Sequence, residues 1–353
     1  MIKEVPVYFS IKEFEKLREI SGNYSSVFII TDNNTSRECL PILQTYLDDI
    51  NYFVIETGSG EINKTISTCK YIWDFLINNK ADRQSLLINL GGGLICDMGG
   101  FAAHSYKRGI DFINIPTSLL SMADAAVGNK TGVNFNNIKN QIGAFASPVA
   151  VFVYTGFLRT LDERQTYSGF AEVLKHALVA DRSYWNLLKE ITPAEINEQH
   201  LKRSLQIKQE ITMQDPEELN IRKKLNFGHT IGHALESISI EKGLNQLLHG
   251  EAVAAGMICE AYLSRETGLN ENDLEDITAL LSTHFGLYEI TENEFDNLWE
   301  YIGYDKKNIG GKASFTLLSN IGEATIDNFC TKEEVFDSLK YYSSLSEQPQ
   351  LGQ

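Results

Sequence analysis

The sequence predicts a Rossmann-like α/β domain with a parallel sheet at the N-terminus, followed by a mostly α-helical C-terminal domain. Three observations carry this expectation. Apolar, β-rich runs alternate with helical patterns as far as Val153 and lead into turns bearing Gly, Asp or Pro. From Leu161 onward, apolar residues recur at helical spacing instead. The chain has 353 residues, which suits two domains at roughly 100–200 residues each. The α/β domain is expected over residues 1–158 and the helical domain over 159–353.

In chain order, Val27–Thr31 is the first strand and ends at Asp32-Asn33-Asn34. Tyr52–Ile55 ends near Gly58-Ser59-Gly60, and Leu86–Leu90 runs into Gly91-Gly92-Gly93. Phe112–Ile115 runs into Pro116-Thr117, and Val149–Val153 is the fifth strand. Such runs, each followed by turn residues and a helical pattern, read as parallel α/β units. Ligands of these sheets sit beyond the carboxyl ends of the strands, where the Gly-rich and polar turns fall here. Helices are expected over Gly169–Val179, Leu201–Met213, Leu225–Ile238, Glu251–Thr267 and Asp273–His284. Phe315–Leu318 and Ala324–Ile326 read as a hairpin, and the polar tail Ser344–Gln353 as frayed.

Composition narrows the function classes. Hydrophobic residues make up 43% and charged residues 22%, so the chain can bury a core without disulfides or metal staples. A formal charge of −16 argues against a binder of nucleic-acid backbones, which needs a basic face. A local cluster of Lys and Arg in a cleft would instead mark a small anionic substrate. The five cysteines, Cys39, Cys69, Cys96, Cys259 and Cys330, are widely spaced and include no C-x-x-C pair. They read as buried free thiols of a reducing cytosol. Met1–Ser10 lacks an apolar h-region, and no run of 18 apolar residues exists. A cytoplasmic protein without signal peptide or membrane span is therefore expected.

The first chemical candidate is the turn Gly91-Gly92-Gly93 between a strand and a helix start. Without side chains, its backbone N–H groups can approach a pyrophosphate. It is not G-x-G-x-x-G, and a plain tight turn is the alternative. Asp32, at the end of an earlier strand, can accept hydrogen bonds from a ribose or form an Asx turn. Thr117 and Ser118 can contact phosphate or cap a helix.

Histidines supply the second candidate. His229 and His233 stand four apart on one helix face, a spacing that suits one metal, or one ligand beside an acid/base group. The Glu of H-E-x-x-H is missing, which disfavours a zincin protease. His249 offers a third nitrogen. Glu172, three residues before Lys175 on an apolar helix, can complete the set or form an ion pair. A His, His, Glu set leaves positions open for a hydroxyl ligand. Arg108, Lys130, Lys139, Lys175, Lys208, Arg222 and Lys312 are scattered cations that matter only if the fold gathers them around an anion.

Together these pieces resemble a family. Asp124–Val133 (DAAVGNKTGV) followed by Lys139–Phe145 (KNQIGAF) is similar to the signature of 3-dehydroquinate synthases. So are Gly91–Asp97, Phe170–Lys175, Asn226–His233 and His249–Met257. The resemblance implies a dehydroquinate synthase-like fold, an NAD-binding first domain, and a second domain that binds metal and substrate. It implies zinc, or cobalt, on Glu172, His229 and His249. It implies NAD at Asp32, Asn34, Glu61, Lys64, Gly92, Gly93, Asp97, Thr117, Ser118, Lys139 and Thr160. Substrate positions are Arg108, Asp124, Lys130, Asn140, Lys175, Lys208, Arg222, Asn226, His233 and Lys312, with acid/base work at Glu218 and His233. Arg108 is expected to reach a neighbouring subunit, hence a homodimer.

The implied reaction converts 3-deoxy-D-arabino-heptulosonate 7-phosphate to 3-dehydroquinate and phosphate. Its stages are oxidation by NAD, phosphate elimination, re-reduction and intramolecular aldol closure. Two positions depart from the family pattern: Asn129 replaces a usual second Gly, and Ser168 replaces a common Asn. The alternatives are a cyclase making an inosose or valiolone ring, a metal-dependent polyol dehydrogenase, and a non-catalytic NAD-binding protein. Lys208, Arg222, Asn226 and His233 together favour a substrate bearing a carboxylate.

Overall fold

The computed structural model describes residues 5–136, 138–243, 246–303 and 312–347. The polar tail beyond residue 347 lies outside them. Among the described residues, no helix is long and apolar enough to cross a membrane. The chain divides into two compact units: one runs to Thr166 and takes in Asn197–Leu205, and the other comprises Tyr167–Ile196 and the chain from Gln206.

The first unit is built on strands β1 (Val7–Phe9), β2 (Val27–Asp32), β3 (Tyr52–Thr57), β4 (Leu86–Gly91) and β5 (Asp111–Pro116). A hairpin, β6 (Lys130–Phe135) and β7 (Ile138–Phe145), precedes β8 (Ala150–Val153). The sheet is parallel, in the order β1-β8-β5-β4-β2-β3. Helices α1 (Phe14–Ser21), α2 (Asn33–Glu38), α3 (Leu40–Gln44), α4 (Ile66–Asn78) and α5 (Gly93–Ser105) intervene. Every residue of β4 is buried, as expected of a strand covered on both faces. Helix α5 lies close on β4, because a Cβ at Gly99 would fall 2.0 Å from Asn89 Oδ1. The buried Asn89 amide donates to Asn114 Oδ1 at 2.9 Å, and Asn114 donates to the Ala126 carbonyl at 3.1 Å. These bonds tie β4 and β5 to the π-helical turn Ser121–Ala125.

All five expected strands are present. Two features escaped the sequence reading. Strand β1 is a three-residue edge with no alternation to detect. The β6–β7 hairpin carries Gly132, Asn134, Asn136, Lys139, Asn140 and Gly143, types depleted in strands, and its pairing is fixed by contact between its own backbones.

The second unit holds most of α6 (Glu163–Ala180), α7 (Arg182–Leu188), much of α8 (Glu198–Gln214), α9 (His229–Lys242), α10 (His249–Leu263), α11 (Glu271–Phe285) and α12 (Phe295–Gly303). The antiparallel hairpin β9 (Ala313–Asn320) and β10 (Glu323–Cys330) follows, and then α13 (Lys332–Ser344). Helix α10 is buried throughout Ala252–Ala261, so it forms the centre of this unit. The expected helix Leu225–Ile238 begins only at His229. Ile221–Asn226 is a 3-10 segment, and Gly228 turns left-handed at φ 79°, a conformation that ends one element and starts the next.

Candidate active site and metal centre

In the first unit, β2 is flanked by β3 on one side and β4 on the other. The chain lays β3 on one side of β2 and then crosses to the other for β4, so the order of winding switches between β2 and β4, the place where open α/β sheets bind ligands. Asp32 ends β2 and Gly91 ends β4 at this point. Gly92 caps α5, and a Cβ on it would stand 3.3 Å from Ser118 Oγ. A Cβ on Gly93 would stand 3.3 Å from the Ala125 methyl. The Thr117 N–H donates to the Gly91 carbonyl at 3.0 Å, and the Ser118 and Ser121 hydroxyls lie 3.0 Å apart. Gly92, Gly93, Thr117 and Ser118 thus form a bare helix N-terminus suited to a diphosphate.

Asp32 Oδ1 accepts the N–H groups of Asn34 and Thr35 at 2.9 and 2.8 Å, so the carboxylate caps α2. The exposed Asn34 follows it in the first turn. Lys64 is buried and donates to Asp97 Oδ2 at 2.7 Å and to Asn140 Oδ1 at 2.6 Å. Glu61 accepts from the Asn134 amide at 2.8 Å. Lys139 and Thr160 are exposed. Asp124 lies in the π-helical turn, Lys130 opens β6, and Arg108 is exposed with φ 68°. Asn129 is left-handed at φ 63°, which Asn tolerates better than other side-chain-bearing residues.

In the second unit, Glu172 and Lys175 of α6 form a fully buried ion pair. Glu172 Oε1 also lies 3.5 Å from His229 Nε2 and 3.5 Å from His249 Nε2. Ligand atoms at the tetrahedral corners around zinc, with bonds of 2.0–2.2 Å, are separated by about 3.3–3.6 Å, so these donors fit a divalent metal. His233 joins the two histidines in a second set whose donor atoms lie within 4.8 Å of one another. Its exposed ring stands 5.2 Å from that of His229 and 5.8 Å from that of His249, centre to centre. The tighter spacing around Glu172 favours the Glu, His, His set, with His233 beside it.

Burial, aided by the Lys175 charge, holds the His229 imidazole well below its ordinary pKa, which keeps it neutral for ligation. Burial acts the same way on His249, but the Glu172 and Glu236 carboxylates outweigh it and raise the ring to about 9. A metal would have to displace that proton. Glu218, at φ 60°, accepts the Asn226 amide at 2.7 Å. The buried Arg222 donates to the Pro216 carbonyl at 2.7 Å. Lys208 is buried on α8, and Lys312 is exposed just before β9.

Three acidic residues escaped the sequence reading. Asp215 accepts the N–H groups of Leu219, Asn220 and Arg222 at 3.0, 2.6 and 3.1 Å and so shapes the loop bearing Glu218 and Arg222. Glu236 stands 3.6 Å from His249 Nδ1. Glu260 is buried and accepts the Gly228 and Ile231 N–H groups at 2.6 and 3.2 Å. Burial lifts its carboxyl to about 8 against the pull of the Gly228, Ile231 and Thr230 N–H groups. Its signal was a lone charge in the otherwise uncharged stretch Ala252–Leu263, eleven residues after His249 and so on the same stripe. The departure at Ser168 also has an account: its hydroxyl accepts the Gly250 N–H at 2.9 Å, beside His249.

Known proteins resemble this chain over nearly its whole length. Residues 54–168 match the family model of the 3-dehydroquinate synthase N-terminal domain, and residues 169–308 match that of the C-terminal domain. The 3-dehydroquinate synthase of Parabacteroides distasonis is 42% identical over 331 residues, covering 91% of this chain and 92% of the relative. That of Campylobacter jejuni is 38% identical over 340 residues, covering 93% and 95%. Among solved structures, the 2-epi-5-epi-valiolone synthase of Streptomyces hygroscopicus, with NAD+ and Zn2+ bound, is 27% identical with a TM-score of 0.85 over 98% of this chain and 99% of that one. A glycerol dehydrogenase of Schizosaccharomyces pombe shares the fold at 14% identity and a TM-score of 0.67, over 98% and 91%. With both domain models matched in order, and relatives aligned over nearly their full length, the chain belongs to the 3-dehydroquinate synthase family.

Proposed function

We propose that this protein converts 3-deoxy-D-arabino-heptulosonate 7-phosphate to 3-dehydroquinate and phosphate, as an NAD- and metal-dependent, phosphate-eliminating carbon–oxygen lyase. The observation that carries the reading is the donor triad of Glu172, His229 and His249, spaced for one metal beside His233 in a chain of this family. When bound, NAD supplies a hydride acceptor, and a divalent zinc or cobalt ion supplies a Lewis acid for a substrate hydroxyl.

The chain's own residues do the rest. Gly92, Gly93, Thr117 and Ser118 seat the cofactor's diphosphate, while Asp32, Asn34, Glu61, Lys64, Asp97, Lys139 and Thr160 hold its remainder. Lys208 and Arg222 are long cations that suit the substrate carboxylate. Arg108, Lys130, Asn140, Asn226, His233 and Lys312 supply donors for its phosphate. Asp124 orients the sugar hydroxyls. Lys175 pairs with Glu172 and holds its carboxylate beside the two histidines. His233, exposed beside the donor triad, and Glu218, paired with Asn226, take the proton-transfer roles.

The same reading makes the protein a cytoplasmic homodimer. Five buried free thiols suit a reducing compartment, and the exposed Arg108 suits a residue that serves a partner's site. Light scattering tests the dimer. The activity test is turnover of the heptulosonate phosphate, followed by phosphate release and 3-dehydroquinate formation. It should require both NAD and a metal and accumulate no NADH. Turnover of a different sugar phosphate alone would move the chain to another cyclase activity.

A further inference from the structure

We propose that Glu260 is a positioning residue for the metal centre: through the Phe227–Gly228 peptide it sets the ring of His229. The inference rests on the metal reading above.

One peptide group links the two residues. Its N–H, on Gly228, donates to Glu260 Oε2 at 2.6 Å. Its carbonyl, on Phe227, stands 3.2 Å from His229 Nδ1. A carbonyl accepts only, so Nδ1 carries the proton and Nε2 keeps its lone pair. Nε2 is the atom that faces Glu172 Oε1 at 3.5 Å. A carboxyl group on the N–H side of a peptide polarises its carbonyl into a better acceptor. Glu260 also accepts the Ile231 N–H at 3.2 Å, so both its oxygens hold the first turn of α9.

The surroundings leave this peptide little freedom. Gly228 is left-handed, and a Cβ there would fall 2.3 Å from Met257 Cγ and 2.8 Å from the Val253 carbonyl. A Cβ on Gly256 would fall 2.0 Å from the Gly228 carbonyl. Met257, Val253, Gly256 and Glu260 all belong to α10. That helix therefore presents a ligand, His249, at one end and the group that orients the other histidine eleven residues on. A fully buried carboxyl group is costly. An apolar residue there would leave helix N–H groups without an acceptor, and an ordinary N-cap residue would not act on the Phe227 carbonyl.

The test compares Glu260→Gln with wild type in the full-length protein. Gln keeps the shape but sets an N–H2 against one of the donors. The zinc dissociation constant should rise about 10- to 100-fold, the range for groups that orient a metal ligand. The visible spectrum of the cobalt-substituted protein should change. Ile277→Val and Ile277→Ala, in the buried centre of α11, bracket the same loss of melting temperature and should leave affinity and spectrum unchanged. A Glu260→Gln protein with wild-type affinity and spectrum, altered only in melting temperature, would overturn the proposal. If that variant fails to fold, Glu260→Asp carries the same readouts, and an unchanged affinity there overturns the proposal equally. Glu172→Gln and His229→Ala separate the two readings: if both bind zinc as wild type does, the metal reading itself falls.

Discussion

The Lys64 ammonium donates to Asn140 Oδ1 at 2.6 Å and to Asp97 Oδ2 at 2.7 Å. Asn140, read as a substrate residue, is thus held by a residue assigned to the cofactor. Lys64→Met removes a buried cation and leaves the half-buried Asp97 without it. Loss of one member of such a pair costs about 3–5 kcal/mol. Asp97 keeps some contact with water, so a loss nearer 2–3 kcal/mol is expected in urea unfolding. NAD affinity, measured by calorimetry, should fall at least tenfold, and Asn140→Ala should weaken NAD binding as well as raise the substrate KM. Unchanged NAD affinity in both variants would remove this network from the cofactor site.

Asn129 occupies a left-handed position. Asn129→Ala should destabilise the fold by about 1 kcal/mol, since Cβ-bearing residues without a local polar group pay more there. Asn129→Gly should be close to neutral, because relief of strain is offset by greater freedom in the unfolded chain. Chemical denaturation of both variants decides. Equal stability of Ala and Gly would mean that the backbone at this position relaxes.

Lys175 and Glu172 are both buried. Lys175→Met takes the ammonium away from the Glu172 carboxylate, and Glu172→Gln takes the carboxylate away from the Lys175 ammonium. Each single change should cost about 3–5 kcal/mol in metal-free protein. The double variant should recover part of that loss, since both charges of the pair are then gone. A double-mutant cycle that sums without coupling would contradict the ion pair.

The five cysteines are buried and unpaired. Burial pushes the Cys39, Cys69 and Cys330 thiols to about 12 and raises Cys96 and Cys259 as well. At pH 8 the native protein should therefore react with an aromatic disulfide reagent only at the rate of unfolding, and all five thiols should react at once in denaturant. A fast native thiol would show that one of these sites opens.

Glu260 gives a pH dependence of definite sign. Burial lifts its folded pKa to about 8, above the ordinary glutamate value of 4.5, so between those values the folded state binds more protons than the unfolded one. This group's contribution to stability therefore falls as pH rises from about 4.5 to 8. Denaturation of metal-free wild type and Glu260→Gln across that range isolates it. The difference in stability should shift in favour of the variant as pH rises, and a flat difference would place the Glu260 pKa near its ordinary value.

Much of this molecule was legible in its sequence, for physical reasons. The strands Val27–Asp32 and Leu86–Gly91 are apolar runs ended by residues with little strand preference, so local pattern and final structure agree. His229 and His233 lie on one helix, and i,i+4 spacing alone puts them together. His249 and Glu172 come from other helices, and their approach to within 3.5 Å depends on packing that periodicity does not encode. Asp215 and Glu236 were missed for the same reason: each acts on backbone or imidazole atoms supplied by folding, and as a bare letter each reads as a surface charge. Glu260 stood out as a lone charge in an uncharged stretch, but the N–H groups it accepts are brought to it by folding. The Asp32 carboxylate shows the opposite limit, since two compatible uses of one residue type look identical in sequence.

The crossing of α9 over α10 has a consequence for how this protein can change. Gly232 and Gly256 let main chain meet main chain, with a virtual Cβ only 2.9 Å from the Ala252 carbonyl in one case and 2.0 Å from the Gly228 carbonyl in the other. A joint made of backbone has no rotamers to readjust, so the distance between His229 and His249 is inherited as a fixed gauge. Variation can redecorate the exposed surroundings of His233 without touching this joint. Any step that thickens the joint by a single methyl group should change the gauge itself and so disturb the proposed metal site.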